Sequence, residues 1–578
     1  MNLLKPIFLI LVSIISIKYI LFWTYIWQLK EYRWDRFKDF LNSHEGRIMF
    51  FNTFYLGKIF ASIAIIMIWT GFFFIPYAEA PNIWLTIDTF FIAATILFLF
   101  FETSLYLKRL LKKTVKIPFF TKKALLLILL SGLMTFYLII SSYPPHKLIL
   151  LEDIGIFVCL SLLSLILIPL FTAFSNLFIY PFSYILKKQR IKKASAIIEK
   201  FNGTVIGITG SYGKSSVKEY VASLLGKKFD VIKTPKNVNT EIGVANFIIQ
   251  ELRKRKDEQK PKNSETAKLI TIEQNLKSKY FACEMGAYRS GEIKKLCDMV
   301  KPSIGILTGI NEQHIALFGS IENTIKAKTE LIQALPKDGI AIINNDDENC
   351  RSVKITDGIK KITYGFSENS DIQIEIKNLE ISDKDEGCIG TIKIIIKIDG
   401  IHKTMRINAF GKHSALNILP AIAIAKEAGM KLDEIKEAVE NLEPPKNGMN
   451  IKKIGKAIII DDTYNSNPTG IKAALEAMDS IDKPDKILIL DDIWELGKES
   501  KRIHRELAKI IAEKNYSKII LTGKNYAKFM KDELVKNGVS ADNIATKIIL
   551  KNYLKIDSAI LFEGRMSKKY LEQIFTNQ

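Results

Sequence analysis

The chain has 578 residues, of which 48% are apolar, and a formal net charge of +21. At roughly 150 residues per domain this length indicates three or four units, and the apolar content excludes a disordered or collagen-like chain. The positive charge would indicate nucleic-acid binding in a soluble protein, but much of the Lys and Arg stands beside long apolar runs, where membrane orientation explains it better. The five cysteines show no CxxC spacing, so we expect neither a disulfide framework nor a thiolate zinc site.

The first third of the chain is predicted to be a membrane domain. Runs of about 20 apolar residues are long enough to cross the hydrocarbon layer of roughly 30 Å as helices. Five such runs occur, at about 6–27, 55–77, 83–107, 124–142 and 155–182. The first run is too long for the apolar region of a signal peptide, and no small-residue cleavage site follows it. We therefore expect it to remain as the first span.

Basic residues cluster in alternate loops between these runs. The basic loops carry Lys30, Arg33, Arg36, Lys38 and Arg47; Lys108, Arg109, Lys112, Lys113, Lys116, Lys122 and Lys123; and Lys187, Lys188, Arg190, Lys192 and Lys193. Because Lys and Arg are retained on the cytoplasmic side, five spans place the N-terminus outside and everything after about residue 185 in the cytoplasm, where ATP is available. Residues 27–41 interleave basic and apolar residues at helical spacing, which is typical either of a helix lying on the inner membrane surface or of an ordinary linking helix.

A glycine-rich turn opens the part of the chain that is predicted to be cytoplasmic. Residues 204–209 (TVIGIT) indicate a short buried strand, and a helix with regularly spaced apolar residues follows the turn. The turn supplies the candidate phosphate-binding residues Gly210, Ser211, Gly213, Lys214, Ser215 and Ser216. Glycines let backbone N–H groups converge on phosphate oxygens, the lysine neutralises the β- and γ-phosphates, and a serine hydroxyl can bind Mg²⁺. The strict P-loop pattern is not met, because Ile208 stands in the place of its first glycine.

Seven further blocks follow in a fixed order. They are TPKNVNTEIG at 234–243, ACEMGA at 282–287, NEQH to glycine at 311–319, KAKTE at 326–330, GKHSALN at 411–417, DDTYNSNP at 461–468 and DIWELG at 492–497. Together with the glycine-rich turn they resemble the Mur ligases, the ADP-forming amide-bond ligases of peptidoglycan precursor synthesis. The resemblance covers about residues 200–570.

This resemblance implies an ATP-dependent reaction through an acyl phosphate. The substrate carboxylate would take the γ-phosphoryl group, and an amine would then displace phosphate to form the amide. The form of the TPKNVNTEIG block is typical of the family member that adds D-alanyl-D-alanine to a UDP-linked muramoyl tripeptide. A cell-wall precursor peptide, an amino acid or dipeptide amine and the lipid membrane are therefore the expected partners, with no role for nucleic acid.

The resemblance also assigns roles to individual residues. Lys214, His314 and Lys328 would be catalytic; Ser215 and Glu284 would hold a first Mg²⁺ and His314 a second; and Lys328 matches the lysine that is carbamylated in this family. Asn417 and Asp462 would bind ATP, and Asn237, Asn239, Glu241, Tyr464, Asn465 and Asn467 would bind substrate. Taken alone, Glu284 could be a solvated acid, His314 a capping residue, Lys328 a surface lysine and the DDTYNSNP block a turn that ends a strand; the ordered context favours the functional roles.

The sequence departs from the family pattern at several places. The hinge segment 444–449 (PPKNGM) carries no arginine, Asp491 replaces a glycine before DIWELG, and Ser414 replaces the usual asparagine. Apolar spans stand where the family has a soluble domain that binds the UDP portion of the precursor.

We predict three regions: a membrane domain at 1–193, a central P-loop domain with a parallel sheet at 194–446, and a Rossmann-like α/β domain at 447–578. Residues 371–407 alternate apolar and polar side chains, which predicts antiparallel strands in a small added sheet. Residues 253–279 are mostly charged and polar and predict a surface insertion.

Two other functions remain open at this stage. A related ligase could add a different amino acid or act on a lipid-linked substrate. A membrane transporter driven by nucleotide hydrolysis would instead place polar or charged residues inside the spans, where the charged residues are Lys18, Lys58, Asp88 and Glu102.

Overall fold

The structure is a computed structural model. It describes residues 4–42, 46–47, 49, 52–71, 81–141, 151–258, 279–313, 315–384, 387–445, 448–464, 466–523, 525–546, 554, 556–564 and 571. The chain divides into two compact units, Met1–Lys187 and Lys188–Gln578.

Helices make up the described part of the first unit. They are α1 (Leu4–Leu29), α2 (Trp34–Asn42), α3 (Thr53–Gly71), α4 (Pro81–Leu111), α5 (Lys122–Ser141) and α6 (Leu151–Ile198), the last of which continues into the second unit. Within the described residues, four stretches are long and apolar enough to cross a membrane: Pro6–Leu29, Thr89–Leu111, Lys122–Ser141 and Ile156–Ile198. These four correspond to the first, third, fourth and fifth predicted spans.

The prediction of five spans is wrong by one for the described chain. Among the described residues, the apolar stretch of α3, Thr53–Met67, is shorter than the four that are long enough to cross a membrane. The Phe54 ring packs 5.7 Å from the Phe98 ring and 6.3 Å from the Phe101 ring. The first turn of α3 therefore lies beside the second half of α4. Residues 72–77 of the predicted span lie outside the described residues.

The short helix α2 packs one apolar side against α1. The Phe37 ring stacks on the Trp27 indole with centroids 3.9 Å apart and planes 10° apart, and Phe37 and Phe40 are buried. Its sequence places the charged residues on the other side. This amphipathic helix suits either of the two settings that the sequence left open.

The first sheet of the second unit is predominantly parallel. Its strands are β1 (Thr204–Thr209), β2 (Asp230–Lys233), β3 (Lys279–Glu284), β4 (Ile304–Leu307), β5 (Ile340–Asn344), β6 (Lys360–Gly365), β7 (Ile372–Lys384), β8 (Gly387–Ile398) and β9 (Ile401–Asn408). Their order across the sheet is β2-β3-β1-β4-β5-β6-β7-β8-β9. The strands from β2 to β7 are parallel and the last two pairings are antiparallel, which confirms the predicted parallel central sheet.

The predicted antiparallel strands are confirmed, but they do not form a separate small sheet. Strand β7 pairs with β6 in parallel through Tyr364 and Ile372, so the hairpins extend the main sheet. The alternating isoleucines Ile372, Ile374 and Ile394 are buried. Because this apolar face joins the core beside the parallel strands, the added strands share that core and need none of their own.

Helices cover both faces of this sheet. They are α7 (Lys214–Leu225), α8 (Glu241–Glu258), α9 (Glu292–Val300), α10 (Ile315–Phe318), α11 (Ile321–Gln333), α12 (Glu348–Arg351), α13 (Lys412–Leu416), α14 (Leu419–Glu427) and α15 (Leu432–Glu440). Successive side chains of β1 point to opposite faces: Ile206 and Ile208 pack with α7 and α14, whereas Val205 packs with α9 and α11. The strand is apolar throughout because both of its faces are covered. Residues 259–278 of the predicted insertion lie outside the described residues.

A second α/β sheet follows. Its strands are β10 (Asn450–Ile454), β11 (Ala457–Asp462), β12 (Asp485–Leu490), β13 (Lys518–Leu521), β14 (Ile544–Ala545) and β15 (Ser558–Glu563), and its helices are α16 (Pro468–Asp479), α17 (Ser500–Ala512) and α18 (Ala527–Lys536). The order is β10-β11-β15-β12-β13-β14, with only β10 antiparallel to its neighbour among the described strands. The four strands predicted at 457–460, 487–490, 518–521 and 558–562 are all present.

Candidate active site

The glycine-rich turn joins the carboxyl end of β1 to the amino end of α7. Gly210 has φ +153°, and a Cβ there would lie 2.1 Å from the Thr308 hydroxyl oxygen; Gly213 has φ +76°, and a Cβ there would lie 2.6 Å from Asn417 Oδ1. Neither position can hold another residue without moving its neighbours. Glycine at both positions lets the backbone pass close to the next strand and present the amino end of α7 to an anion.

Lys214, the first residue of α7, folds back over the turn. Its Nζ donates to the carbonyl oxygens of Gly210 (2.6 Å) and Ser211 (3.1 Å). Burial lowers the pKa of Lys214, and the Glu284 carboxylate partly opposes this shift. A phosphate arriving at the turn would supply a stronger acceptor than these neutral carbonyl groups.

The carboxyl ends of neighbouring parallel strands bring Glu284 to the turn. Glu284 ends β3 and is paired in register with Ile208 of β1, and it is buried. Its Oε2 accepts from the Ser215 hydroxyl (3.0 Å) and from Lys218 Nζ (3.1 Å), while its Oε1 accepts from Asn239 Nδ2 (3.3 Å). The side chains that hold this carboxylate therefore come from both α7 and the TPKNVNTEIG block.

These donors fit a magnesium ion. Mg²⁺ takes oxygen ligands and is bound through one or two carboxylates together with substrate phosphates and water. The hydroxyl oxygen of Ser215 and the carboxylate oxygens of Glu284 are such ligands, and they meet beside the phosphate-binding turn. Among the described residues, no group of three or more His, Cys, Asp or Glu side chains could hold a metal by itself. Phosphate and water oxygens would complete the coordination of a magnesium ion held by Ser215 and Glu284.

Lys328 on α11 is buried close to this centre. Its Nζ lies 3.5 Å from the Ala287 carbonyl oxygen and 5.6 Å from the centroid of the Phe318 ring. Burial, reinforced by the positive charge of Lys214, lowers the pKa of Lys328 to about 7. A substantial fraction of this amine is therefore neutral, and hence nucleophilic, near neutral pH.

His413 and Asn417 line the other end of the same cavity. Both follow β9, His413 within α13 and Asn417 at the residue that ends it. Burial lowers the pKa of His413 to about 4, so its imidazole is neutral at pH 7. Its enclosed Nδ1 has no hydrogen-bond partner in the described part of the chain, which leaves one polar atom available to a ligand.

Residues after β11 cross the cavity to meet the first sheet. The Tyr464 hydroxyl donates to Asn237 Oδ1 (2.9 Å), and Lys236 Nζ lies 4.6 Å from the centroid of the same tyrosine ring. Asn311 Nδ2 donates to Asn467 Oδ1 (2.9 Å). These contacts join the TPKNVNTEIG and NEQH blocks of the first sheet to the DDTYNSNP block of the second.

Asp462 lies at the end of β11 and lines the cavity. It pairs in register with Glu563 at the end of β15, and the two carboxyl groups share a hydrogen bond. Burial and the negative charge of Asp461 raise the pKa of Asp462 to about 7, and burial beside Asp462 raises the pKa of Glu563 well above its usual value. The pair therefore holds a proton at neutral pH.

The structure brings most of the candidate residues to one cavity of about 460 Å³. Those that line it are Ser211, Gly213, Lys214, Ser215, Ser216, Asn237, Asn239, Glu284, Lys328, Asn417, Asp462, Tyr464 and Asn467. Gly210, within the turn, and Glu241, in the first turn of α8, are not among the described residues that line the cavity. His314 and Asn465 lie outside the described residues; Gln313, next to His314, lines the cavity.

Sequence reasoning missed two residues at this site. The sequence does not single out Lys218, because a lysine within the apolar stripe of α7 carries no phosphate-loop signature. Its position three residues after Ser215, on the buried side of the helix, is a usable signal. The sequence marks His413 only as a member of the GKHSALN block. His504 is buried in the layer of the second sheet, where its Nε2 accepts from the Ile493 backbone N–H (3.3 Å).

The fold and the turn define a P-loop α/β protein with a second α/β layer closing over the loop. Comparison with known proteins gives the family. Residues 208–425 match the Mur ligase middle domain, and residues 449–562 match the domain described as Mur ligase, glutamate ligase domain.

Several curated relatives bear the name UDP-N-acetylmuramoyl-tripeptide--D-alanyl-D-alanine ligase. The Bacillus subtilis protein is 30% identical over 336 residues, which are 57% of this chain and 65% of the relative. The Buchnera aphidicola protein is 30% identical over 358 residues, 60% of this chain and 71% of the relative. The chain thus spans about two thirds of the length of these relatives, and it belongs to the Mur ligase family.

Solved structures agree on the fold. MurF from Acinetobacter baumannii superposes with a TM-score of 0.53 at 21% identity, covering 68% of this chain and 80% of that one. MurF from Thermotoga maritima in complex with ADP gives a TM-score of 0.53 at 22% identity, covering 66% of this chain and 81% of that one.

Proposed function

We propose that this protein is an ATP-dependent amide-bond ligase that adds D-alanyl-D-alanine to a UDP-MurNAc-tripeptide-like cell-wall precursor. One observation carries the proposal: the phosphate-binding turn, the Glu284 carboxylate, Lys328 and the residues after β11 line a single cavity. An acyl-phosphate route needs a nucleotide, a metal and two further reactants within contact of one another. We infer the substrates from the names of the relatives, and we assign the reaction to this cavity.

The turn binds the triphosphate. Backbone N–H groups at the amino end of α7 and the Lys214 ammonium face the β- and γ-phosphates, while His413, Asn417 and Asp462 line the part of the cavity assigned to the nucleoside. Ser215 and Glu284 would hold Mg²⁺, and a metal bound there would neutralise charge that builds up on the phosphoryl oxygens. A second metal at His314 follows from the family resemblance.

The first chemical step transfers the γ-phosphoryl group to an oxygen of the substrate carboxylate. The bond from the γ-phosphorus to the β–γ bridging oxygen breaks, ADP leaves, and an acyl phosphate forms. In the second step the nitrogen of the amine attacks the acyl carbon, phosphate departs with its oxygen, and the nitrogen loses a proton. Lys214 stabilises the charge that moves between these oxygens.

The residues after β11 position the reacting groups. Tyr464 bonded to Asn237, and Asn467 bonded to Asn311, fix one sheet against the other at the mouth of the cavity. Closing the cavity in this way keeps water from hydrolysing the acyl phosphate. Asn239 supports the Glu284 carboxylate and so links this mouth to the metal site.

Lys328 is a candidate for carbamylation. A neutral amine adds to carbon dioxide and loses a proton, which turns a cation into an anion. The lowered pKa of Lys328 favours the neutral form that reacts, and removal of one positive charge beside Lys214 would relieve the repulsion between them. The resulting carbamate would face the cavity that also contains Glu284.

We further propose that the first unit anchors the enzyme in the cell membrane with its catalytic unit in the cytoplasm. Four apolar stretches of sufficient length support this placement, as do the basic loops that mark the cytoplasmic side. With four crossings, the basic loop after α4 and the basic segment 187–193 fall on the same side of the membrane. The anchor would keep the ligase beside the membrane, where a lipid-linked substrate is a second possible acceptor.

Phosphate release by the purified full chain tests the reaction. We expect release only when ATP, Mg²⁺, UDP-MurNAc-tripeptide and D-alanyl-D-alanine are all present, and a stoichiometric amide product by mass spectrometry. Lys214→Met should lower kcat/KM by about a hundredfold or more, whereas Lys301→Met, at a surface ion pair with Glu199, should not. Release that is indifferent to both acceptors would refute the ligase and favour a transporter.

A second arm of the same assay separates the acceptors. Soluble UDP-linked tripeptide and the same peptide on a lipid carrier are compared at equal concentrations, with other dipeptides and amino acids in place of D-alanyl-D-alanine. Preference for the lipid-linked form, or for another amine, would support the ligase reaction but show that its substrate differs from the proposed one.

A further inference from the structure

Three charged side chains from three helices meet inside the first unit. Glu102 of α4 accepts at Oε1 from Lys18 Nζ (2.6 Å) and the Tyr19 hydroxyl (2.8 Å), and at Oε2 from Lys58 Nζ (2.6 Å). The side chains of Glu102 and Lys58 are fully buried, and that of Lys18 is 22% exposed. Three of the four charged residues of the predicted spans thus form one cluster, which we call the Lys18–Lys58–Glu102 cluster.

The two lysines differ in how their N–H groups are used. Lys58 Nζ donates to Glu102 Oε2, the Tyr19 hydroxyl (3.2 Å) and the Phe54 carbonyl oxygen (3.2 Å), so all three of its hydrogens have acceptors. Lys18 has one hydrogen-bond acceptor among the described residues, Glu102 Oε1. Two N–H groups of Lys18 are therefore left for another acceptor.

The cluster also lacks one negative charge. Among the described residues, two ammonium groups face one carboxylate, and the rings of Tyr19, Phe54 and Tyr106 have centroids 4.8, 5.6 and 5.9 Å from Lys18 Nζ. Aromatic faces attract a cation weakly compared with an anion. Because an uncompensated charge and unused charged N–H groups are costly away from water, the open side of Lys18 suits an anionic ligand.

Apolar residues surround this open side. Ile14 and Leu21, one helical turn before and after Lys18, are partly exposed, and Ile17 is 55% exposed. With the first unit in a bilayer, this outer face of α1 meets lipid. Glu102 lies six residues before Lys108, about 9 Å along the axis of α4. The cluster therefore lies about 9 Å from the basic end of α4, the end that we place on the cytoplasmic side.

The start of α3 bears on access from that end. Phe54 packs against Phe98 and Phe101, so α3 begins level with the cluster and the last turns of α4 extend beyond it. The last turns of α4 therefore separate the cluster from the basic end of that helix.

We propose that Lys18 binds the phosphate group of a membrane lipid, with Lys58 held behind it as the second positive charge of the site. Phosphate oxygens would take the two unused N–H groups of Lys18, and the anion would balance the charge of the cluster. The acyl or prenyl chains would lie on the apolar face formed by Ile14, Ile17 and Leu21. This inference rests on the proposed membrane insertion, which resistance of the chain to alkaline carbonate extraction tests separately.

The test uses the full chain in neutral detergent. Phosphatidic acid is the probe, diacylglycerol is the same lipid without phosphate, and inorganic phosphate is the same group without lipid. Binding is measured by native mass spectrometry and by the shift of the thermal midpoint. Lys18→Met removes the proposed ligand but keeps the Lys58–Glu102 pair, Lys18→Arg keeps the charge and donors, and Lys112→Met removes an exposed lysine of the basic loop.

We expect one tightly held phosphatidic acid per wild-type chain, about tenfold weaker retention in Lys18→Met, and near wild-type retention in Lys18→Arg and Lys112→Met. Diacylglycerol should not raise the midpoint, and inorganic phosphate should bind far more weakly than phosphatidic acid. Equal retention by wild type and Lys18→Met would overturn the site. Equal effects of inorganic phosphate and phosphatidic acid would overturn the proposal that the ligand is a membrane lipid. If Lys18→Met misfolds, loss of retention in Lys18→Arg would count against the proposal, because that variant preserves the cation.

Discussion

Lys218 and Ser215 donate to the same oxygen of Glu284, Oε2, from 3.1 and 3.0 Å. The Lys218 side chain is 1% exposed, and its Nζ also lies 3.5 Å from the Pro235 carbonyl oxygen. A single buried ammonium thus connects α7 with the strand end that carries Glu284 and with the segment that leads to Asn237. Lys218 is therefore a positioning residue for the proposed metal site.

Replacing Lys218 by methionine should loosen this arrangement. Methionine fills most of the space but removes the ammonium group that is hydrogen-bonded to the Glu284 carboxylate, and breaking a buried ion pair on one side costs about 3–5 kcal/mol. We expect a lower thermal midpoint and about tenfold weaker binding of ADP in the presence of Mg²⁺, measured by calorimetry. Binding of ADP without Mg²⁺ should change much less, because the turn still contacts the phosphates.

Two controls distinguish a loss of positioning of the Glu284 carboxylate from a general loss of stability. Lys301→Met removes a surface ion pair with Glu199 and should change stability by less than about 1 kcal/mol. The double variant Lys218→Met, Glu284→Gln should be less destabilised than the sum of the single variants, because no unpaired charge remains. An unchanged response to Mg²⁺ in a folded Lys218→Met protein would contradict the positioning role.

The hydrogen bond between Tyr464 and Asn237 gives a second prediction. Tyr464→Phe removes the hydroxyl and keeps the ring that lies over Lys236. The loss of one neutral hydrogen bond should cost about 0.5–1.5 kcal/mol, and we expect a rise of a few fold in KM for the precursor with a smaller change in kcat. Steady-state kinetics at saturating ATP would measure both.

Asn237 needs a different substitution, because its φ is +62°. Asn237→Gly removes the acceptor of the bond and tolerates this backbone, whereas Asn237→Ala adds left-handed strain of about 1 kcal/mol. Asn237→Gly should therefore match Tyr464→Phe in KM, and the two together should be no worse than either alone. Additive effects of the pair would show that the bond does not set KM.

Much of the second unit was predictable because its signals are local. Residues 204–209 predicted β1 at its observed bounds, since a short apolar run before a glycine turn has few other structures available. The blocks also predicted residues that lie close together in the fold, because the carboxyl ends of parallel strands meet at one edge of a sheet. Ile208 pairs with Glu284, and Thr209 pairs with Leu307. The roles assigned to these residues stay predictions.

What the sequence missed depends on tertiary contacts. The Lys18–Lys58–Glu102 cluster joins residues 40 to 84 positions apart, and nothing in their spacing predicts that α1, α3 and α4 bring them together. The apolar run at 55–77 predicts a helix, but it does not indicate that the Phe54 ring lies beside the rings of Phe98 and Phe101. Likewise, the alternating residues of β7 to β9 predicted strands without indicating that they continue the main sheet.

The orientation of the first unit gives a third prediction. The loop after α4 is exposed and basic, so it should face the cytoplasm. A Lys116→Cys variant should react with a membrane-impermeant maleimide in inside-out vesicles and not in intact cells. Wild-type chain treated identically reports labelling of the native cysteines. Labelling of the introduced cysteine from outside intact cells would reverse the proposed orientation.

The buried amine of Lys328 gives the last prediction, a dependence of stability on pH. Its pKa is lowered from 10.5 to about 7 in the folded chain. Between these values the unfolded chain holds a proton that the folded chain has lost, so this group makes stability rise with pH, by at most about 1.4 kcal/mol per unit. Below about pH 7 both states are protonated, and the full cost of burying the ammonium remains.

Lys328→Met removes this contribution. In buffer freed of carbon dioxide, we expect the variant to be more stable than the wild type at pH 7, and we expect the difference to shrink as the pH rises, when thermal midpoints of the full chain are compared. Added bicarbonate should raise the midpoint of the wild type and flatten its pH dependence, because a carbamate no longer titrates as an amine. Lys326→Met, two residues away on α11, is the matched control and should follow the wild type. A pH-independent difference between wild type and Lys328→Met would show that the amine keeps an ordinary pKa, and carbamylation would then lose its physical basis.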